Sequence, residues 1–122
     1  MEKQYLLIEV EQKCYGIDLN YVENVIRLPK ITRVPGSQPY YKGIIHLRGI
    51  LIPVMSLRLR MGFSDGGVTK DSRIVVLNWK ESEAVGLLVD RVGEIAELSE
   101  EDFTLSKEID RLDFEAVFGG TK

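Results

Sequence analysis

The sequence predicts an all-β protein, and three observations lead to that prediction. The chain has 122 residues, which suits one small domain that can bury a core without a metal or disulfide. Its apolar residues are mostly Ile, Val and Leu, which favour strands, whereas Ala, the strongest helix former, occurs only three times. Short apolar segments follow one another closely, with glycine between them, as in small barrels and sandwiches.

A hairpin is predicted at the start of the chain. Leu6, Ile8 and Val10 alternate with the residues between them, a pattern typical of a half-buried strand. Residues 13–19 form a second run after a short turn, so we expect the two runs to pair.

The period of the apolar residues changes after this hairpin. Leu19, Val22, Val25 and Ile26 would fall on one face of a helix, so we predict one short helix over residues 20–27.

The middle of the chain is predicted to hold a short strand at 31–34 and a longer pair of strand segments within residues 43–62. Gly49 interrupts that pair, which predicts a bulge or a close approach of two backbones. Ser56 is expected to cap a single helical turn, since its hydroxyl can accept a bond from a free N–H group.

The second half begins with a polar, glycine-containing loop at residues 64–71. Two long apolar runs follow, at 73–79 and 84–92, and their length predicts paired strands that are buried on both faces. A more exposed strand is predicted at 94–98, and at most one further strand around 114–118.

The charge argues against nucleic acid as a partner. The formal net charge is −3 and the pI about 5.2, whereas proteins that bind nucleic acid usually present a basic face. Residues 1–61 carry a net charge of +4 and residues 62–122 a net charge of −7. This asymmetry allows a basic, partner-facing surface on an acidic protein.

The cellular compartment is predicted from the absence of disulfide pairs, membrane spans and a signal peptide in the sequence. Cys14 is the only cysteine, so no intramolecular disulfide can form, which favours a reducing compartment. The sequence has no apolar run of membrane-spanning length and no signal-peptide pattern, so we expect a cytoplasmic protein.

The inventory of reactive residues favours a binding module over an enzyme. His46 is the only histidine, whereas a zinc site needs three or four ligands and a catalytic triad needs a nucleophile and an orienting group beside its base. We therefore expect a hydrogen-bonded structural role for His46, with no metal site and no cofactor.

Four motifs in register carry a resemblance to a known family. Residues 43–58, GIIHLRGILIPVMSLR, closely resemble the hallmark of the CheW-like domain, G-[VI]-[IV]-N-L-R-G-x-[IV]-[IV]-P-V-x-D-L-R. The resemblance extends from about residue 4 to about residue 118. Three other segments match: the opening hairpin at 4–18, ITRVP at 31–35, and the later strands, which read RIVV at 73–76 and GLLVDRV at 86–92.

The resemblance implies a single CheW-like domain over residues 1–122, made of two SH3-like five-stranded barrels. It also implies a non-enzymatic adaptor that couples the tip of a chemoreceptor to the regulatory domain of the CheA histidine kinase. Against the family's pattern, the last strand and the C-terminal helix are missing, so we expect an exposed strand edge that a second copy could cover.

The resemblance further implies which residues bind partners. Arg48 precedes Gly49 at a strand bend, where a guanidinium can donate a planar fork of hydrogen bonds. The family's equivalent arginine belongs to the receptor-binding region, and Val22, Asn24 and Val25 match positions near that region. In the alternative interpretation, Arg48 is locked to a carboxylate and only orders its strand.

Three other functions stay open at this point. The chain could be a regulatory CheW-like domain of a larger kinase or of a scaffold fused to a receiver domain. Outside the family, it could be a small β-barrel enzyme or a nucleic-acid-binding barrel.

Overall fold

The computed structural model describes residues 2–80, 83–105 and 108–119, and strands dominate these ranges. The strands form two sheets that pack around two clusters of buried side chains. The helical elements are a 3-10 turn (Leu19–Tyr21), α1 (Leu57–Arg60), α2 (Glu100–Leu105) and a π-helical turn (Glu115–Gly119). The strands are β1 (Lys3–Val10), β2 (Lys13–Asp18), β3 (Val22–Arg27), β4 (Tyr41–Leu47), β5 (Ile50–Ser56), β6 (Arg73–Lys80), β7 (Glu83–Val89), β8 (Arg91–Leu98) and β9 (Ile109–Arg111).

Each sheet is mixed, with one parallel pair among antiparallel neighbours. The first sheet has the order β8-β1-β2-β9, in which β2 and β9 are parallel. The second has the order β3-β6-β7-β5-β4, in which β5 and β7 are parallel. The all-β prediction is confirmed, and two SH3-like sub-barrels are consistent with these sheets. Within the described ranges the first sheet has four strands rather than five.

The hairpin of β6 and β7 lies in the middle of the second sheet and is buried on both faces, as predicted. Successive side chains of a strand point to opposite faces. Val75 and Leu77 therefore pack in the larger core, together with residues of the first sheet, whereas Ile74 and Val76 pack in the smaller core. All four side chains are at most 1% exposed.

The predicted helix at 20–27 is wrong, because this segment is the 3-10 turn followed by β3. A β-bulge explains why the apolar residues of this strand have the spacing of a helix. The register of β3 against β6 shifts between Val22 and Asn24, so that Val22 lies opposite Leu77 and Val25 opposite Val75. An extra residue in a strand places side chains three apart on the same face, which imitates a helical spacing.

Two predicted strands are also wrong. Residues 31–34 form no strand, and only Thr32 makes an isolated bridge, to Ile44. Residues 114–118 belong to a helical turn, in which Asp113 Oδ1 accepts a hydrogen bond from the Glu115 N–H group at 3.0 Å. An aspartate that caps the following backbone in this way favours a turn over a strand.

Other local predictions are confirmed or refined. Ser56 caps α1, since its hydroxyl accepts a hydrogen bond from the Leu59 N–H group at 3.3 Å. The return strand predicted at 84–92 ends at Val89, and the chain turns at Asp90 before β8. Within the described ranges, no helix has the length and apolar content needed to cross a bilayer.

Candidate functional site

The two residues Arg48 and Gly49 form the tight turn that joins β4 to β5. Leu47 and Ile50 are paired across it, so the loop between the strands is two residues long. Both loop residues have positive φ, 54° for Arg48 and 79° for Gly49. Hairpins of this length favour such a turn because its twist matches that of the strands. Gly49 therefore lies at a hairpin tip, and the predicted bulge or close backbone approach is wrong.

The Arg48 side chain is exposed at this tip. It makes no hydrogen bond or ion pair with any residue that the structure describes. The interpretation in which Arg48 is locked to a carboxylate therefore finds no support in the described ranges. Its guanidinium is available to a partner, and a fork of N–H donors suits a carboxylate.

His46 lies near the same tip, opposite Leu51 on the neighbouring strand. Its side chain is exposed, and no residue within the described ranges hydrogen-bonds to it. The predicted hydrogen-bonded structural role of His46 therefore finds no support within the described ranges.

Two large apolar side chains next to Arg48 are exposed, and the sequence analysis missed them. Ile50 is 58% exposed and Leu51 is 57% exposed. Ile52 and Val54 on the same strand point into the smaller core, so the exposed pair is not needed there. The signal was present in the sequence, since an exposed strand face is usually polar and the run from Ile50 to Val54 has no polar residue.

An apolar groove of about 580 Å³ continues from these exposed residues. It arises because β5 pairs with β7 only from Val54 onwards, opposite Gly86, so the first residues of the two strands diverge. The groove is lined mainly by Leu51, Pro53, Met55, Trp79, Val85 and Phe118. Concave apolar surfaces with a polar rim are typical of binding sites.

The other predicted site residues lie on β3, which is the first strand in the order of the same sheet, whereas β4 is the last. Val25 is 37% exposed, and Asn24 Oδ1 accepts a hydrogen bond from the Val25 N–H group at 2.9 Å. Val22 is half-buried against the larger core. The structure therefore divides the predicted residues into two groups, one on β3 and one at the turn of Arg48 and Gly49.

A charged cluster to which the sequence analysis gave no role ties the two sheets together. Arg58 on α1 forms ion pairs with Asp90 at 2.6 Å and with Glu11 at 2.5 Å. Glu11 follows β1 of the first sheet, and Asp90 lies between β7 of the second sheet and β8 of the first. Within the described ranges, no group of three or more His, Cys, Asp or Glu residues could hold a metal ion.

Comparison with known families decides the assignment. A family model described as the CheW-like domain matches residues 4–116 of the chain. The chain belongs to the CheW-like domain family. The family prediction is thereby confirmed, together with the assignment to chemotaxis signalling that the names of its relatives support.

Individual relatives agree with this assignment. The chain is 31% identical to the chemotaxis protein CheW of Bacillus subtilis over 87% of its own length and 67% of that protein. It is 34% identical to CheW of Thermotoga maritima, over 90% of its own length and 72% of that protein. The chain therefore spans about two thirds to three quarters of these relatives.

A solved structure gives the same result for the fold. The scaffolding protein CheW of Thermoanaerobacter tengcongensis superposes with a TM-score of 0.78 at 34% sequence identity. The match covers 84% of this chain and 69% of that one. The chain therefore has the fold of a CheW protein.

Proposed function

We propose that this CheW-like chain is a non-enzymatic adaptor that couples chemoreceptor tips to the regulatory domain of a CheA-type histidine kinase. Relatives named as chemotaxis proteins and a structural neighbour described as a scaffolding protein support the proposal. One observation carries the choice of site. An exposed arginine that has no partner in the described ranges lies at a hairpin tip, directly beside two exposed apolar side chains.

This combination suits a helical partner. A helix binds a groove by burying the apolar side chains of one face, and the apolar contact supplies most of the affinity. Ile50 and Leu51 line such a groove, and Arg48 lies in the turn directly before Ile50. A charge at the rim mainly sets the association rate and the orientation of the partner. We therefore assign Arg48 and Gly49 to the partner-binding surface, and extend it to Ile50 and Leu51.

The second group, Val22, Asn24 and Val25, lies on the edge strand β3. We propose that this group also binds a partner, and that the protein acts in the cytoplasm, where receptor tips and kinase meet. That the chain is a regulatory domain of a larger kinase or scaffold stays an untested prediction.

Binding measurements on a charge-reversed variant test the proposal. Titration calorimetry of the wild type and of Arg48→Glu against a receptor cytoplasmic fragment and, separately, a kinase regulatory domain should show about tenfold weaker binding of at least one partner. Lys70→Glu is the matched control, since Lys70 is also exposed and lies in the loop at 64–71. Unchanged binding of both partners by a folded Arg48→Glu protein would refute the site, and a wild type that binds neither would refute the adaptor.

A further inference from the structure

The strand β3 lies at an edge of the second sheet. It is a terminal strand of the five-stranded sheet, and among the residues that the structure describes only β6 pairs with it. An edge strand exposes unpaired N–H and C=O groups that can pair with a strand of another chain. Glu23, Val25 and Arg27 alternate along β3 as its exposed side chains.

The two charges on this edge lack partners in the part of the chain that the structure describes. Neither the Glu23 carboxylate nor the Arg27 guanidinium makes a hydrogen bond or an ion pair there. Cations on the other edge strands do make such pairs. Lys42 of β4 pairs with Asp65 at 3.1 Å, Arg91 of β8 with Asp71 at 3.1 Å, and Arg111 of β9 with Glu100 at 2.5 Å.

The charged residues of β3 would face opposite charges if two copies of the strand paired in antiparallel orientation. If two copies run antiparallel with Val25 opposite Val25, then Glu23 of each copy lies opposite Arg27 of the other. Opposite charges directly across an antiparallel pair stabilise it, and like charges destabilise it. Shifting the register by two residues removes both charge pairs, so the charges select one alignment.

We propose that two copies of this chain associate through β3, about a twofold axis that passes between their Val25 residues. A twofold interface uses the same patch on both copies, which the reversed symmetry of β3 allows. The Val25 N–H group, which donates to Asn24 Oδ1 in the single chain, donates instead to the Val25 carbonyl of the second copy. The two five-stranded sheets then continue into each other.

This association also regulates the adaptor. The strand that pairs contains Val22, Asn24 and Val25, so a dimer covers the β3 group of candidate partner-binding residues. Binding of a partner there and dimerisation exclude each other. This competition rests on the proposed function, whereas the dimer itself does not.

Charge reversal with its own rescue tests the dimer. Sedimentation equilibrium over a concentration series should show self-association of the wild type, and association at least about tenfold weaker for Glu23→Arg and for Arg27→Glu. The double variant Glu23→Arg/Arg27→Glu restores both pairs and should restore association. An equimolar mixture of the two single variants should form heterodimers, since each supplies the charges that the other lacks.

Controls separate this edge from the rest of the surface. Glu94→Arg reverses an exposed charge on the edge strand β8 and should leave association unchanged, while circular dichroism confirms that each variant is folded. A wild type that stays monomeric throughout the series overturns the proposal, and so does equal association of all variants. Because no partner is present, failure here leaves the proposed adaptor intact, and a failed Arg48→Glu test leaves the dimer intact.

Discussion

Arg58 Nη1 lies 2.6 Å from Asp90 Oδ2, and the same carboxylate oxygen accepts a hydrogen bond from the Glu11 N–H group at 2.9 Å. This pair links α1 to the corner between β7 and β8, and Glu11 adds the turn between β1 and β2. Glu11 and Gln12 in that turn both have positive φ, 54° and 64°. Residues other than glycine adopt such angles at a cost, so the bond to Asp90 stabilises a strained turn.

Arg58, Asp90 and Glu11 form a charged clamp between the two sheets, and its removal should destabilise the fold. Arg58→Ala leaves Asp90 and Glu11 without their cation, and the Arg58 side chain is only 16% exposed. We expect the free energy of unfolding to fall by about 2–4 kcal/mol, measured by urea denaturation. Arg91→Ala is the control, because Arg91 also forms two ion pairs but is 58% exposed, and it should cost at most about 1 kcal/mol. Equal costs for the two variants would contradict the role of the clamp.

Gly43 should tolerate no side chain. Its φ is +140°, and a Cβ atom there would lie 2.8 Å from the Thr32 carbonyl carbon and closer still to the carbonyl oxygen. Gly43→Ala therefore has to displace the backbone of Thr32. We expect the free energy of unfolding, measured by thermal unfolding, to fall by about 3 kcal/mol or more.

Gly36→Ala isolates the backbone contribution to that loss. Gly36 has φ +80° but open space around it, so its variant should cost only about 1–2 kcal/mol. A similar cost for both variants would show that the positive φ, rather than the contact with Thr32, causes the loss of stability.

Arg48→Asn should separate stability from binding. Asparagine before glycine is the preferred pair for a two-residue hairpin turn in which both residues have positive φ. We expect the melting temperature to stay the same or rise, corresponding to up to about 1 kcal/mol, while calorimetry shows weaker partner binding. Unchanged partner binding would mean that the guanidinium of Arg48 is not used.

The Cys14 thiol should react slowly at neutral pH. Burial raises the pKa of this thiol above its usual range, and the nearby Glu9 carboxylate raises it further. The thiolate is the nucleophile, so the rate of alkylation by iodoacetamide, followed by mass spectrometry, should be below that of free cysteine and rise as the pH rises. Glu9→Gln should increase the rate at neutral pH, and a decrease would contradict this origin of the shift.

A feature of the structure could be predicted from the sequence where the interacting residues lie close together along the chain. The Ser56 cap is a contact within four residues, and the two-sided burial of β6 and β7 is visible in their apolar runs. The helix expected at 20–27 fails because a single bulge near Glu23 changes the period of the side chains. Local spacing cannot reveal a bulge whose position is set by pairing with a strand about fifty residues away in sequence.

The candidate site shows the same division. Arg48 was found through its motif, whereas the exposure of Ile50 and Leu51 depends on where β5 and β7 diverge. The clamp was missed because Arg58 meets Asp90 and Glu11 across 32 and 47 residues of chain. Charges so far apart carry no sequence signal of their contact.

The β6–β7 hairpin has a consequence for how the chain unfolds. Its side chains contribute to both cores, so neither core stays complete when this hairpin opens. We therefore expect a single cooperative transition, with the same midpoint whether it is followed at Trp79 on β6 or by backbone circular dichroism. The molecule has two sheets and two cores in its architecture, but it should unfold as a single cooperative unit.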